Sequence, residues 1–158
     1  MLRLAALFSV FFCLASPSCI PGDLQFNDSC FSFNNPQGSF YECSQHCQKY
    51  YNGILVSINN MIENNWIQKN AIVNLDTNYG KFWIGASDQG NTYNWTWSDG
   101  SPLTFKNFNP GQPLEDRHCA TMYLSNGKWF SETCDTKLQF VCRYAGGNHM
   151  STCPPCYS

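Results

Sequence analysis

Cysteine is the residue type with the greatest capacity for chemistry in this chain, which contains ten of them among 158 residues. In an oxidising compartment such a density predicts a framework of disulfide bonds. Cys13 lies in an apolar N-terminal segment that we expect to be removed, which leaves an odd number of cysteines. At least one thiol must therefore stay free or pair with a second chain.

The C-terminal sequence Cys153-Pro154-Pro155-Cys156 carries two of these thiols. It fits a cross-link between two chains, in the manner of an antibody hinge. A redox-active Cys-x-x-Cys site is disfavoured because no β-α-β unit surrounds it. A zinc site with His149 is disfavoured because an oxidising compartment favours disulfides.

Side chains that catalyse reactions form no familiar motif. The histidines His46, His118 and His149 lie in no nucleophile or zinc pattern. Glu115 and Asp116 are adjacent carboxylates, but adjacent residues seldom converge on one bond. No glycine-rich phosphate loop is present. The sequence therefore predicts that the protein is not an enzyme.

The N-terminus has the pattern of a secretory signal peptide. Arg3 precedes an apolar run over residues 4–14, which is shorter than the roughly 20 residues that span a bilayer. Cleavage after Ala15 fits the small residues that follow, with Ser18 as an alternative, and a buried N-terminal helix is the competing interpretation. We expect residues 1–15 to be removed and the protein to be secreted and extracellular.

The rest of the chain has the properties of one extracellular domain. After cleavage about 140 residues remain, which is the size of a single domain, and they contain no further candidate membrane span. The isoelectric point is near 5.8 and basic residues are scattered, which argues against nucleic acid as a partner. Asn27 and Asn94 begin N-glycosylation sequons, in agreement with secretion.

Two helices are predicted in the first half. Ser39 is a helix cap before an apolar stripe that contains Phe40, Cys43 and Cys47. Asn60 is a second cap, before a helix with Ile62, Trp66 and Ile67 on one side. Residues 24–26 and 30–33 predict a hairpin, and residues 34–38 a turn.

The second half predicts short strands around a long loop. The expected strands are residues 54–58, 81–84, 93–97, 120–124, 128–130 and 139–143, with a hairpin turn at residues 125–127. Residues 99–118 show no period, and irregular loops of this length are usually functional. Helices followed by strands indicate an α+β fold.

In order and spacing, these elements resemble the C-type lectin-like domain. The matching segments are Phe40-Tyr41-Glu42-Cys43 with Cys47, Leu55-Val56-Ser57-Ile58, Trp83-Ile84-Gly85, Trp95-x-Trp97-Ser98-Asp99-Gly100, Asn107-Phe108-x2-Gly111-Gln112-Pro113, and Cys119, Trp129, Cys134 and Cys142. The resemblance covers residues 19–144 and is closest in kind to small secreted members of invertebrate type. It implies two helices packed on antiparallel sheets, and it leaves residues 145–158 as a flexible, cysteine-containing tail.

The resemblance also implies how the cysteines pair. It joins Cys19 to Cys30, Cys47 to Cys142, and Cys119 to Cys134. Three thiols then have no assigned partner: Cys43, Cys153 and Cys156. Cys43 stands where the family keeps a small buried residue, so it is either a packed thiol or the partner of a tail cysteine.

Sugar-binding members of the family hold Ca²⁺ in the long loop, where side-chain oxygens complete its shell. Of those ligand positions Gln112 retains an oxygen, whereas the third position of its motif is Leu114. Phe130 and Ser131 follow Trp129 where the family has Asn and Asp.

Asp88 and Glu63 match auxiliary metal ligands. Arg143, however, replaces the acidic partner of Glu63, which suggests an ion pair instead. The metal candidates are therefore Gln112, Asp88 and Glu63 in a degenerate site, with Ca²⁺ left open and no other cofactor expected.

The function that this resemblance implies is extracellular recognition of a glycan or protein, in defence or surface recognition. The candidate ligand-binding residues are Gln112, Glu115, Asp116, Phe105 and Phe108. The alternative is a structural or assembly protein that forms disulfide-linked homo-oligomers through its tail.

Overall fold

The computed structural model describes residues 18–88, 90 and 94–147. The expected signal peptide and the tail cysteines Cys153 and Cys156 lie outside the described residues. Within these ranges the chain forms an α+β fold, as the sequence predicts. The last strand extends to Ala145, and Ser18 bridges to Gly147, so ordered pairing reaches slightly beyond the expected bounds of residues 19–144.

Both predicted helices are present. Helix α1 spans Phe40–Tyr51 and begins at a capping box, in which the Ser39 amide donates to Glu42 Oε2 at 2.7 Å. Helix α2 spans Met61–Asn74 and is capped by Asn60. A 3₁₀ helix follows at Thr77–Tyr79. No helix in the described part of the chain is long and apolar enough to cross a membrane.

The strands form one connected sheet of eight. In chain order they are β1 Leu24–Phe26, β2 Ser29–Gly38, β3 Ile54–Leu55, β4 Lys81–Ser87, β5 Thr96–Trp97, β6 Cys119–Tyr123, β7 Trp129–Glu132 and β8 Leu138–Ala145. The main path runs β1-β2-β8-β4-β6-β7, with β3 paired to β8 and β5 to β4. Pairing is antiparallel except where β4 meets β8 in parallel, so the expectation of antiparallel sheets needs that correction.

Several local predictions are wrong. The strand expected at residues 54–58 ends at Leu55, and within the described residues the strand expected at 93–97 begins only at Thr96. Residues 34–38 were expected to form a turn, but β2 continues to Gly38 because Asn34 and Gly38 both pair with β8 around a bulge. Ile62 was expected on the buried side of α2, but it is 73% exposed. The polar residues Glu63 and Asn64 are buried in its place, because each has polar partners inside the fold.

The core is built around three tryptophans. Trp83, Trp97 and Trp129 are buried, while Trp95 is half-buried. Gly85 lies where β4 passes the end of β3, and a Cβ there would come within 2.4 Å of the Leu55 carbonyl oxygen. Only glycine fits so close a backbone approach.

All three disulfides implied by the resemblance are present: Cys19–Cys30, Cys47–Cys142 and Cys119–Cys134. The bond between Cys47 and Cys142 closes a sequence separation of 95 residues and ties α1 to β8. On loop entropy a ring of this size stabilises the fold by about 4 to 5 kcal/mol. The long loop ends at Cys119, whose bond to Cys134 closes 15 residues.

Asn64 joins α2 to the sheet. Its Nδ2 donates to the Gly127 carbonyl at 3.1 Å, and its Oδ1 accepts from Trp129 Nε1 at 2.8 Å. The side chain is 1% exposed, so water does not replace these bonds if they are lost. Asn64 therefore fixes the indole of Trp129, against which the long loop packs.

We predict that Asn64→Ala lowers the free energy of unfolding by about 2 to 4 kcal/mol. The substitution leaves the buried indole N–H of Trp129 without an acceptor and removes the hydrogen bond to the Gly127 carbonyl. Denaturant unfolding monitored by tryptophan fluorescence measures the change. Asn65→Ala is the matched control, since Asn65 is exposed on the same helix. A similar loss in both variants would contradict the assigned role of Asn64.

Candidate functional site

The long loop of residues 99–118 is fastened to strand β7. The Trp129 amide donates to the Asn107 carbonyl at 3.0 Å, and the Asn109 amide donates to the Trp129 carbonyl at 2.9 Å. Asn107 is itself buried, and its Nδ2 donates to the Gly127 carbonyl at 2.9 Å. These bonds hold the middle of the loop in register with the sheet.

Phe105 and Phe108, two of the predicted ligand-binding residues, pack inward. Each ring lies edge-on to the Trp129 indole with centroids 5.6 Å apart, and Phe108 also contacts Trp95. Both are half-buried. Their observed contacts anchor the loop to the core, and ligand binding by them stays a prediction.

Gln112 lies where the family's sugar-binding members begin their calcium motif. Its Oε1 accepts from both the amide and the hydroxyl of Ser131, at 2.9 and 2.8 Å. The Leu114 amide donates to the same Ser131 hydroxyl at 2.8 Å. A closed set of protein hydrogen bonds thus joins positions that would share a calcium ion in those members.

The donor set here does not fit calcium. The ion takes about six to eight oxygen ligands, mostly from carboxylates and carbonyls. Leu114 and Phe130 have no side-chain oxygen, and the one on Gln112 already accepts two bonds from Ser131. Within the described ranges no three His, Cys, Asp or Glu side chains are close enough to share a metal ion.

The other two metal candidates contact basic side chains at separate places. Glu63 Oε1 lies 3.2 Å from an Arg143 guanidinium nitrogen, which is the pair suggested by the sequence. Glu63 Oε2 also accepts from the Asn59 amide at 2.7 Å. Asp88 is buried, and its carboxylate lies 3.0 Å from His118 Nδ1. A cation is thus next to Glu63, and an imidazole is next to Asp88.

Glu115 and Asp116 are exposed on the loop beside Arg117. Their carboxylates are accessible to a ligand. Arg117 reaches back to the sheet, where its Nη1 lies 2.9 Å from Glu132 Oε1. The structure thus leaves Glu115 and Asp116 exposed at the end of the loop, while Gln112, Phe105 and Phe108 serve to hold it.

A charged cluster around Glu132 has no counterpart among the residues that the sequence predicted. Glu132 at the end of β7 pairs with Lys81 of β4 as well as with Arg117. Beside this network the rings of Tyr123 and Phe130 stack with centroids 4.2 Å apart. The hairpin turn at residues 125–127 sets the register of β6 and β7, and this register makes the two rings diagonal neighbours across the strands. The contact between the rings could therefore have been predicted from the position of the turn.

The charge of Glu132 is stabilised by its neighbours. Burial on its own would raise the pKa of this carboxyl. Hydrogen bonds from Lys81 and the Thr133 amide, together with the charge of Arg117, outweigh burial and hold the pKa below its ordinary value. Glu132 therefore stays ionised and fixes both cations at the rim of the sheet.

Cys43 is a packed thiol, one of the two alternatives for this residue. It is 1% exposed, and its Sγ lies 3.8 Å from the Leu138 carbonyl oxygen. Burial raises its pKa to about 12, so the reactive thiolate is scarce at neutral pH. The predicted glycosylation sites Asn27 and Asn94 are both exposed, and their modification stays a prediction.

Comparison with known proteins agrees with this architecture. The family model for the lectin C-type domain matches residues 37–144. Lithostathine of Rattus norvegicus is 30% identical over 131 residues, which cover 80% of this chain and 79% of that protein.

Solved structures match over a similar part of the chain. The carbohydrate-recognition domain of the mouse scavenger receptor C-type lectin has a TM-score of 0.72 at 30% identity, covering 82% of this chain and 98% of that one. Human lithostathine has a TM-score of 0.75 at 27% identity, covering 81% and 91%.

The ion-pair network predicts a pH dependence of stability. The native pKa of Glu132 lies below its ordinary value of 4.5, so its stabilising effect is complete above about pH 4.5. That effect is lost as pH falls through the native pKa. Glu132→Gln should therefore cost about 1 to 3 kcal/mol at pH 7, with a smaller difference from the parent at pH 3.

Thermal unfolding of both proteins from pH 7 to pH 3 measures this difference. The matched control is Glu115→Gln, since Glu115 is exposed on the loop. A gap between Glu132→Gln and the parent that stays constant with pH would contradict the assignment.

Proposed function

The chain belongs to the C-type lectin domain family, and on that premise we propose that it is a secreted recognition module that binds its ligand without calcium. Its ligand is a glycan or an extracellular protein. The ligand face consists of the long loop and the adjoining strands β6 and β7. The observation that supports this most is the pair of hydrogen bonds that Ser131 donates to Gln112 Oε1. These bonds lie at positions where sugar-binding members of the family hold calcium.

The preorganised loop supports this function. A binding loop that is ordered before the ligand arrives costs less conformational entropy on association. In this chain the inward packing of Phe105 and Phe108 supplies that order, as does the backbone pairing of Asn107 and Asn109 with Trp129. The exposed carboxylates of Glu115 and Asp116 then supply polar contacts at its edge.

The relatives support the recognition role and the location. The mouse receptor structure is described as a carbohydrate-recognition domain, and we extend glycan recognition to this chain by analogy. Secretion rests on the N-terminal signal pattern, the three disulfides and the two sequons. A role in defence or surface recognition is the biological setting that we propose. We propose no catalytic step.

A glycan array and a cell-surface binding assay, each run with calcium and with a chelator, test the proposal. We expect binding that chelation does not change. Glu115→Ala combined with Asp116→Ala should weaken it about fivefold or more, because two exposed polar contacts are lost.

The matched control for this assay is Asp28→Ala, an exposed carboxylate in the β1–β2 turn. Binding abolished by chelation would contradict the calcium-independent mechanism. Binding to neither glycans nor cell surfaces would contradict the recognition function.

A second candidate function is covalent assembly through the tail. Its supporting observation is the burial of Cys43, which leaves that thiol poorly placed to pair with Cys153 or Cys156. The tail thiols then pair with each other or with a second chain. Disulfide-linked homo-oligomers would raise the avidity of a weak site.

Non-reducing electrophoresis of the secreted protein tests this candidate. Assembly predicts a dimer or larger species that reduction removes and that Cys153→Ser with Cys156→Ser abolishes. Cys43→Ser is the control and should leave the species intact. A monomer in the unreduced parent protein would exclude covalent assembly.

A further inference from the structure

A cleft of about 490 Å³ opens at the end of the ligand face where β4 begins and β6 ends. This volume falls in the range of about 300 to 1,000 Å³ that small-molecule sites occupy. Its lining comes from the end of α2, the 3₁₀ helix and the two strands, and consists of Ile72, Thr77, Tyr79, Gly80, Lys81, Tyr123, Leu124 and Ser125. None of these residues belongs to the calcium positions of the family.

The cleft has aromatic walls and an apolar floor. Tyr79 and Tyr123 supply rings, and Tyr79 is 42% exposed. Leu124 is nearly buried beneath them, and Ile72 on α2 keeps 45% of its surface exposed. A bare apolar surface of this kind is a place where apolar ligand groups can leave water.

The Tyr123 wall is held rigidly. Its ring stacks on Phe130, and the Lys81 ammonium lies 5.8 Å from its centroid. Lys81 is fixed by Glu132, which Arg117 fixes from the other side. A platform whose side chains are positioned before binding loses little entropy when a ligand arrives.

Polar groups surround this apolar centre. The hydroxyls of Thr77 and Ser125 lie at the exposed rim, and Lys81 contributes an ammonium group. A lysine ammonium has three N–H donors, so it can bind a ligand oxygen while it keeps its bond to Glu132. A fitting ligand must therefore present apolar faces and hydroxyl or carbonyl groups in one small body.

We propose that this cleft is a calcium-independent binding site for an N-acetylated hexopyranose. The C–H face of the sugar ring stacks on the exposed ring of Tyr79, as sugar rings do on aromatic side chains. The acetamido methyl group contacts Ile72 and Leu124, while the acetamido carbonyl and ring hydroxyls face Lys81, Thr77 and Ser125. This proposal rests on the recognition function above and assigns it a ligand class and a subsite.

The apolar floor distinguishes the N-acetyl sugar from an unsubstituted one. A plain hexose offers hydroxyls on its equatorial edge, and burying them against Ile72 and Leu124 would cost hydrogen bonds to water. An acetamido group places a methyl there instead. N-acetylglucosamine and glucose are therefore a matched pair of probes.

The experiment is a titration of the ¹⁵N-labelled full secreted chain, monitored by amide chemical shifts in the presence of chelator. The chain is first treated with an N-glycanase, because glycans on Asn27 or Asn94 would carry the same sugar. We expect N-acetylglucosamine to shift the amides of residues 79–81 and 123–125 with millimolar affinity, and glucose to bind at least about fivefold more weakly.

Two variants test the lining. Tyr79→Ala and Ile72→Ser should each weaken N-acetylglucosamine about fivefold or more. Their matched controls are Tyr50→Ala and Ile62→Ser, which alter exposed residues of the same types on α1 and α2 away from the cleft. Because Tyr79 and Ile72 are largely exposed, the variants should fold, and the amide spectrum reports whether they do.

The subsite is overturned if the sugar shifts no amide at tens of millimolar, if the shifts fall on residues 112–118 instead, or if glucose binds equally well. It is also overturned if the controls weaken binding as much as the cleft variants. Loss of this subsite alone leaves chelator-resistant binding on the glycan array intact. Failure of both assays would overturn the recognition function as well.

Discussion

The indole of Trp129 is the point on which the arrangement of the ligand face depends. Its Nε1 is held by Asn64 of α2, its backbone pairs with Asn107 and Asn109 of the long loop, and its faces receive Phe105 and Phe108. A helix, a strand and the loop thus converge on one buried side chain. This convergence explains how about twenty residues without regular structure keep a defined course.

The same loop has hydrogen bonds between protein groups at positions where sugar-binding members of the family hold calcium. A bound cation would gather carboxylate and carbonyl oxygens that otherwise repel one another. In this chain the repulsion is absent, because Gln112 is neutral and Ser131 supplies donors to its oxygen. At one auxiliary position Glu63 forms an ion pair with Arg143 of the same chain. At these positions hydrogen bonds and an ion pair within the chain supply order.

The frame of the fold could be predicted from sequence because it depends on residues with few structural alternatives. Ser39 and Asn60 were identified as helix caps, and the cysteine pairs followed from the family resemblance. The sequence-based predictions fail where an apolar residue is exposed or a polar residue is buried. Ile62 is exposed and Asn64 is buried because the partners of Asn64 come from distant segments, which no local pattern reveals. The Glu132 network was missed for the same reason, since Lys81 lies 51 residues away from it in sequence.

The covalent tie between α1 and β8 also sets how the domain bears mechanical load. Ser18 and Gly147 pair with each other, so the chain enters and leaves the domain at adjacent points. Tension applied to the C-terminal end of β8 would separate this strand from its neighbours only as far as Cys142. There the disulfide to Cys47 prevents further separation. Phe140, which pairs with Trp83 of β4, lies beyond that stop. A pull on this end of β8 therefore separates only the residues after Cys142 before the disulfide transfers the load to α1.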